Sequence, residues 1–145
     1  MTASESTTLE PVMELLPATV PARILVIDDE EAARFGIRKA LEREQYLVEL
    51  ATNGQEALQK IREFSPHVVI SDINMPHMDG FEFIEALKAD GTLPRIPVIF
   101  LTSYDDGDER GRALGAVGYI TKPVRADRLL ALVAQHVPGG TLPIG

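Results

Sequence analysis

The sequence predicts a doubly wound α/β sandwich, a parallel sheet of five strands with helices on both faces. Three observations carry this. Uninterrupted apolar runs recur at 24–27, 68–70 and 98–101, the pattern of strands covered on both sides. Amphipathic stretches with helix-capping residues alternate with them, which implies right-handed crossovers between parallel strands. The chain has 145 residues, 45% of them hydrophobic, enough for one well-cored domain but not for two.

The elements follow in order. Residues 1–22, rich in Ser, Thr, Glu and Pro, read as a flexible leader carrying an apolar patch at Val12, Met13, Leu15 and Leu16. Ile24 to Ile27 give the first strand. A helix follows with Ala33, Ile37, Ala40 and Leu41 on one stripe and Arg38, Lys39, Glu42 and Arg43 mostly on the other. A second strand at 47–51 precedes Asn53, which with Glu56 three residues on forms a capping-box pattern. Ala57, Leu58 and Ile61 make the buried stripe of that helix.

The third strand is 68–70, and Asp79 with Glu82 repeats the cap for a helix carrying Phe83, Ile84 and Leu87. The fourth strand is 98–101. The stretch 105–114 after it makes a poor helix, because interior glycines at Gly107 and Gly111 each cost about 0.5–1 kcal/mol against alanine. It is the element expected to be loosest. A short strand at 119–120 leads to a last helix from about Arg125, with Ala126, Leu129, Leu130 and Val133 facing inward. Residues 138–145, with three glycines and two prolines, read as a tail or linker. The domain itself is expected over 23–137.

Composition removes several functions. A formal net charge of −8 argues against direct nucleic-acid binding, which needs a basic face. Absence of cysteine excludes disulfides and thiolate chemistry, and His67, His77 and His136 are too scattered for a zinc cluster. The apolar runs are too short to span a bilayer and the leader lacks the features of a secretory signal, so a cytoplasmic location is expected.

Ligands of open α/β sheets bind outside the carboxyl ends of the strands. At that edge the sequence places Asp28, Asp29 and Glu30 after the first strand, Asp72 after the third, Thr102 and Ser103 after the fourth, and Lys122 with Pro123 after the fifth. Each alone has a structural explanation: Asp28 or Asp29 as a helix cap, Asp72 as a turn residue, Thr102 or Ser103 as a cap, Lys122 as a solvated charge. Together those explanations leave three carboxylates crowded without compensation. Crowded like charges raise each other's pKa or recruit a cation. Oxygen ligands point to Mg²⁺, or Mn²⁺ in its place. Thr102 and Lys122 would then face a bound phosphoryl group, and a central carboxylate can act as its nucleophile.

The segments Ile24-Leu25-Val26-Ile27-Asp28-Asp29-Glu30, Asp72-Ile73-Asn74-Met75-Pro76-His77-Met78-Asp79-Gly80, Leu101-Thr102-Ser103 and Gly118-Tyr119-Ile120-Thr121-Lys122-Pro123 resemble bacterial response-regulator receiver domains over roughly residues 23–137. The resemblance implies a flavodoxin-like fold with strand order 2-1-3-4-5 and phosphoryl transfer from a histidine kinase or a histidine phosphotransfer protein. It implies that Asp72 is the phosphoacceptor and that Asp28 and Asp29 form the metal-binding acid pair, with Asn74 adding its backbone carbonyl. It further implies Thr102 as the switch hydroxyl, Lys122 as the phosphate-binding lysine, Tyr119 as the mobile aromatic, and a cis bond before Pro123. Asn74 and Tyr104 fall at positions that tune phosphate lifetime in this family; a bulky Tyr104 would shield the phosphoryl group and slow its hydrolysis. His77 is expected in an exposed turn.

A downstream protein target, no direct nucleic-acid or membrane contact and a monomer or weak dimer complete the expectation. The chain is expected to be a signalling switch that catalyses only its own phosphorylation and dephosphorylation. A metal-dependent phosphatase using the same edge is the competing reading; Asn74 stands where an Asp-x-Asp nucleophile pair would need a second acid. A phosphate-independent scaffold is the third.

Overall fold

The computed structural model describes residues 20–103 and 108–138. Its elements are β1 (Arg23–Ile27), α1 (Glu31–Arg43), β2 (Leu47–Ala51), α2 (Gly54–Phe64), β3 (Val68–Asp72), α3 (Gly80–Ala89), β4 (Val98–Thr102), α4 (Asp108–Ala113), β5 (Gly118–Thr121) and α5 (Ala126–His136). All strands are parallel, in the order β2-β1-β3-β4-β5. This is the flavodoxin-like order expected.

Side-chain alternation along the strands feeds two cores. Ile24, Val26, Val68, Ile70, Ile99 and Leu101 point to one face and pack with Ile37 and Leu41 of α1 and Leu129 and Val133 of α5. Leu25, Ile27, Val69, Val98 and Phe100 point to the other and pack with Ala57 and Ile61 of α2 and Phe83, Ile84 and Leu87 of α3. The strands at the centre are covered on both sides, which is why they read as unbroken apolar runs.

Local details refine the expected elements. β3 and β4 each continue past their apolar run, β3 to Asp72 and β4 to Thr102. Ladder pairing of Asp72 with Leu101 and of Thr102 with Thr121 holds these polar residues in the sheet. Arg125 is the N-cap of α5, not its first residue. Asp79 and Glu82 form a complete capping box. Asn53 caps α2 by accepting from Glu56 N at 2.9 Å, but the reciprocal half is displaced by one residue. The Glu56 carboxylate takes the Thr52 N–H at 2.6 Å and its hydroxyl at 2.9 Å. Asn53 contributes a cap there, and Thr52 takes the place expected of it in the box.

The poor helix after β4 is described over Asp108–Ala113, and it ends one residue before the expected 114; Gly107, with the rest of 104–107, lies outside the described residues. Its end is nevertheless well closed. Gly115, at φ +102°, lets Gly115 N reach Arg112 O and Ala116 N reach Gly111 O, a Schellman closure.

Candidate functional site

The carboxyl ends of β1, β3, β4 and β5 bring four of the expected side chains to one edge. Asp28 follows β1 and is fully buried. Its Oδ1 accepts from Glu30 N at 2.9 Å and its carbonyl accepts from Arg34 Nη1 at 2.6 Å, so loop and helix start are fixed together. Neither Asp28 nor Asp29 caps α1: the N-cap is Glu30, which makes no side-chain cap bond. Asp72 ends β3, 6% exposed, with Oδ1 accepting from Ile73 N at 2.8 Å. Thr102 ends β4 and is 5% exposed. Lys122 follows β5, its N–H bonded to Thr102 O at 2.7 Å and its peptide bond to Pro123 cis.

Lys122 Nζ stands 3.0 Å from Asp72 Oδ2 and 3.7 Å from Asp28 Oδ2. Sequence reasoning placed it opposite a phosphoryl group; here it also neutralises the acids directly. Burial alone would lower the Lys122 pKa, but the hydrogen bond and charge of Asp72, with Asp28 and Glu30, hold it above the usual lysine value. Asp28 moves the same way for another reason. Burial pushes its carboxyl up, Asp72 and Asp29 add to this, and the Glu30 N–H and Lys122 only partly oppose them.

Carboxylate oxygens of Asp28, Asp29 and Asp72 all lie within 4.8 Å of one another. Asp28 Oδ2 is buried and, among the described residues, accepts no hydrogen bond. An orphaned anionic oxygen is costly unless a cation meets it. Two buried acids and the exposed Asp29 supply only hard oxygen donors, so the set fits Mg²⁺ or Mn²⁺. Asn74 is exposed in the loop after β3, and His77 is exposed in the same loop at φ +71°. Tyr104, the expected lifetime-tuning ring, lies outside the described residues.

Two features were not anticipated. The first is how closely α3 approaches Asp72. Gly80 N donates to Ile73 O at 2.7 Å, and a Cβ on Gly80 would stand 2.6 Å from Asp72 O and 2.9 Å from Ile73 Cα. Both neighbours are backbone and cannot yield cheaply. Gly80→Ala is therefore expected to cost about 1–3 kcal/mol, read as a lower denaturation midpoint at unchanged slope.

The second is a file of rings beside the site. Phe81 meets Phe100 edge-on with centroids 5.5 Å apart, and Phe100 meets Tyr119 at 5.9 Å. The Arg110 guanidinium covers Phe81 at 4.4 Å and that of Arg112 lies 5.8 Å from the Tyr119 ring centre. Only the contacts between elements reveal this, since the rings come from α3, β4 and β5.

Comparison with known proteins agrees with the geometry. Residues 24–134 match the family described as the response regulator receiver domain. Response regulator MprA of Mycolicibacterium vanbaalenii is 40% identical over 114 residues, 77% of this chain and 48% of that protein. MprA of Mycobacterium tuberculosis is 40% identical over 111 residues, 75% of this chain and 47% of that protein. The chain thus spans about half the length of these curated relatives. Among solved structures, the chemotaxis protein CheY4 of Vibrio cholerae superposes with a TM-score of 0.75 at 34% identity, covering 81% of this chain and 99% of that one. A receiver domain from Bermanella marisrubri gives 0.75 at 30% identity, covering 81% and 98%. With matching sequence, fold and acidic edge, the chain belongs to the response-regulator receiver domains of two-component signalling.

Proposed function

We propose that Asp72 accepts a phosphoryl group from a histidine kinase or a histidine phosphotransfer protein. The observation that carries this is the buried meeting of Asp72 and Asp28 with Lys122, beside an Asp28 oxygen that accepts no hydrogen bond among the described residues. In the transfer, a carboxylate oxygen of Asp72 forms a bond to phosphorus as the donor's phosphorus–nitrogen bond breaks. The donor imidazole leaves with the electron pair and becomes neutral. Lys122 already sits where the phosphoryl oxygens arrive, and its ammonium offsets their charge.

Asp28, Asp29, Asp72 and the Asn74 carbonyl are the residues that would hold the divalent ion. When bound, the ion supplies positive charge to the carboxylates and the phosphoryl oxygens. Phosphorylation adds negative charge of about −1.5 to −2 at the site. Thr102 then bonds the new oxygens, Tyr119 turns into the space it leaves, and the α4–β5–α5 surface is repopulated toward its signalling shape. The apolar groove between α1 and α5, lined by Ala33, Ile37, Pro123 and Leu129 beside Lys122, suits the phosphodonor's helix. The domain signals through a downstream protein, in the cytoplasm, as a monomer or weak dimer. Its chemistry is confined to its own phosphorylation and dephosphorylation.

The test is incubation with acetyl phosphate and Mg²⁺, read by intact mass. One phosphoryl group per chain is expected, and none on Asp72→Asn. Continuous turnover of phosphomonoesters without a stable adduct would instead establish the phosphatase reading.

A further inference from the structure

Tyr119 is packed against α4 in a way that only one residue type at position 111 permits. A Cβ built on Gly111 would overlap the Tyr119 hydroxyl outright, stand 2.7 Å from Tyr119 Cζ and 3.1 Å from Phe100 Cδ2. Gly111 is buried within the described helix Asp108–Ala113, where alanine would otherwise favour helix formation. The missing methyl is therefore a slot, and the tyrosine oxygen occupies it.

Neither backbone can easily step aside. The Gly111 carbonyl accepts from Leu114 N at 3.1 Å and from Ala116 N at 2.9 Å, which ties it into the Schellman closure. Lys88 Nζ donates to the Leu114 carbonyl at 2.8 Å, and Val117 N bonds Val98 O at 2.9 Å. On the residue before the slot, Arg110 is laid over Phe81; on the residue after it, Arg112 approaches the Tyr119 ring. Tyr119 itself is fixed in β5 opposite Phe100. A methyl at 111 can be accommodated most cheaply by rotation of the Tyr119 side chain.

We infer that Gly111 is a positioning residue for Tyr119: its bare Cα forms the seat that holds the ring in one rotamer, and this seat sets the population that phosphorylation shifts. The second part rests on the proposed phosphoryl acceptance at Asp72. Three consecutive residues of α4, Arg110, Gly111 and Arg112, grip the ring file, so the short helix acts as a latch on the aromatic. Filling the seat releases the ring without touching the acidic pocket.

The experiment compares wild type, Gly111→Ala, Tyr119→Ala and the double variant. Ring signals of ¹³C-labelled tyrosine are recorded before and after acetyl phosphate with Mg²⁺, the Tyr119 signal being identified by its loss in Tyr119→Phe. Gly111→Ala is expected to displace the Tyr119 signal before any phosphoryl donor is added, and to shrink its change on phosphorylation below half that of wild type. The thermal midpoint should fall on Gly111→Ala in wild type, yet rise on the same change in Tyr119→Ala, where the clash is gone.

An unmoved Tyr119 signal, or a midpoint that rises in both backgrounds, overturns the seat. A displaced signal with an undiminished response to phosphorylation overturns its part in the switch. If Gly111→Ala does not fold, the double variant must fold; its failure overturns the inference as well. A wild type that takes no phosphoryl group refutes the reading of Asp72, and the seat is then decided by the signal and the midpoints of the four proteins.

Discussion

Lys122→Ala lowers the rate of labelling by acetyl phosphate about 10²–10³-fold, the usual cost of removing one donor aimed at developing negative charge. It also destabilises the metal-free protein. Among the described residues Lys122 is the cation within 4 Å of both Asp72 and Asp28, and its loss leaves two acids buried together. Breaking a fully buried pair costs about 3–5 kcal/mol; the Lys122 side chain is 26% exposed, so about 2 kcal/mol is the expected size. Two readings separate the effects. Added Mg²⁺ should recover much of the stability, because it supplies charge to the same oxygens, but little of the labelling rate. A variant that is labelled at the wild-type rate would remove Lys122 from the chemistry.

Asp28→Asn has the opposite sign for stability. Burial holds the Asp28 carboxyl above its ordinary value of 3.8, so the folded state binds this proton more tightly than the unfolded state does. The associated stability is complete below that ordinary value and is lost as pH rises through the raised one. At neutral pH the ionised side chain is therefore a burden on the fold. Asparagine removes the charge, relieves Asp72 and Asp29, and should raise the thermal midpoint by several degrees in metal-free buffer at pH 7. The gain should vanish in acid. The same variant should bind Mg²⁺ at least about 10-fold more weakly, since even residues that merely support a metal ligand cost that much. Titration calorimetry together with melts at several pH values checks both halves. A variant less stable than wild type at pH 7, or with unchanged Mg²⁺ affinity, would contradict the crowding picture.

Much of the fold was legible because its three central strands are buried on both faces. Runs such as Ile24 to Ile27 need no alternation and admit few other readings. The edge positions of Asp28, Asp72, Thr102 and Lys122 followed from topology alone, once each polar residue was placed after its strand. What escaped was contact across elements. Asp72 alone could pass for a turn residue in sequence, yet the ladder to β4 keeps it extended. Glu56 turns to Thr52 instead of Asn53, a choice between neighbours one residue apart that spacing cannot resolve. Gly111 looked like a simple weakness in a poor helix. Its reason appears only when Tyr119, from the next strand, is seen filling the space.

The sheet's parallel sense has a mechanical consequence for anything joined to this domain. All five strands begin at one rim, so the polypeptide enters β1 there, whereas the acids and Lys122 crown the opposite rim. α5 starts just after Lys122 and Pro123 and runs back for eleven residues toward the entry side. A strand of five residues measures about 16 Å. Cargo fused before Arg23 or after His136 would thus hang from the floor of the domain, leaving its roof clear for a visiting donor.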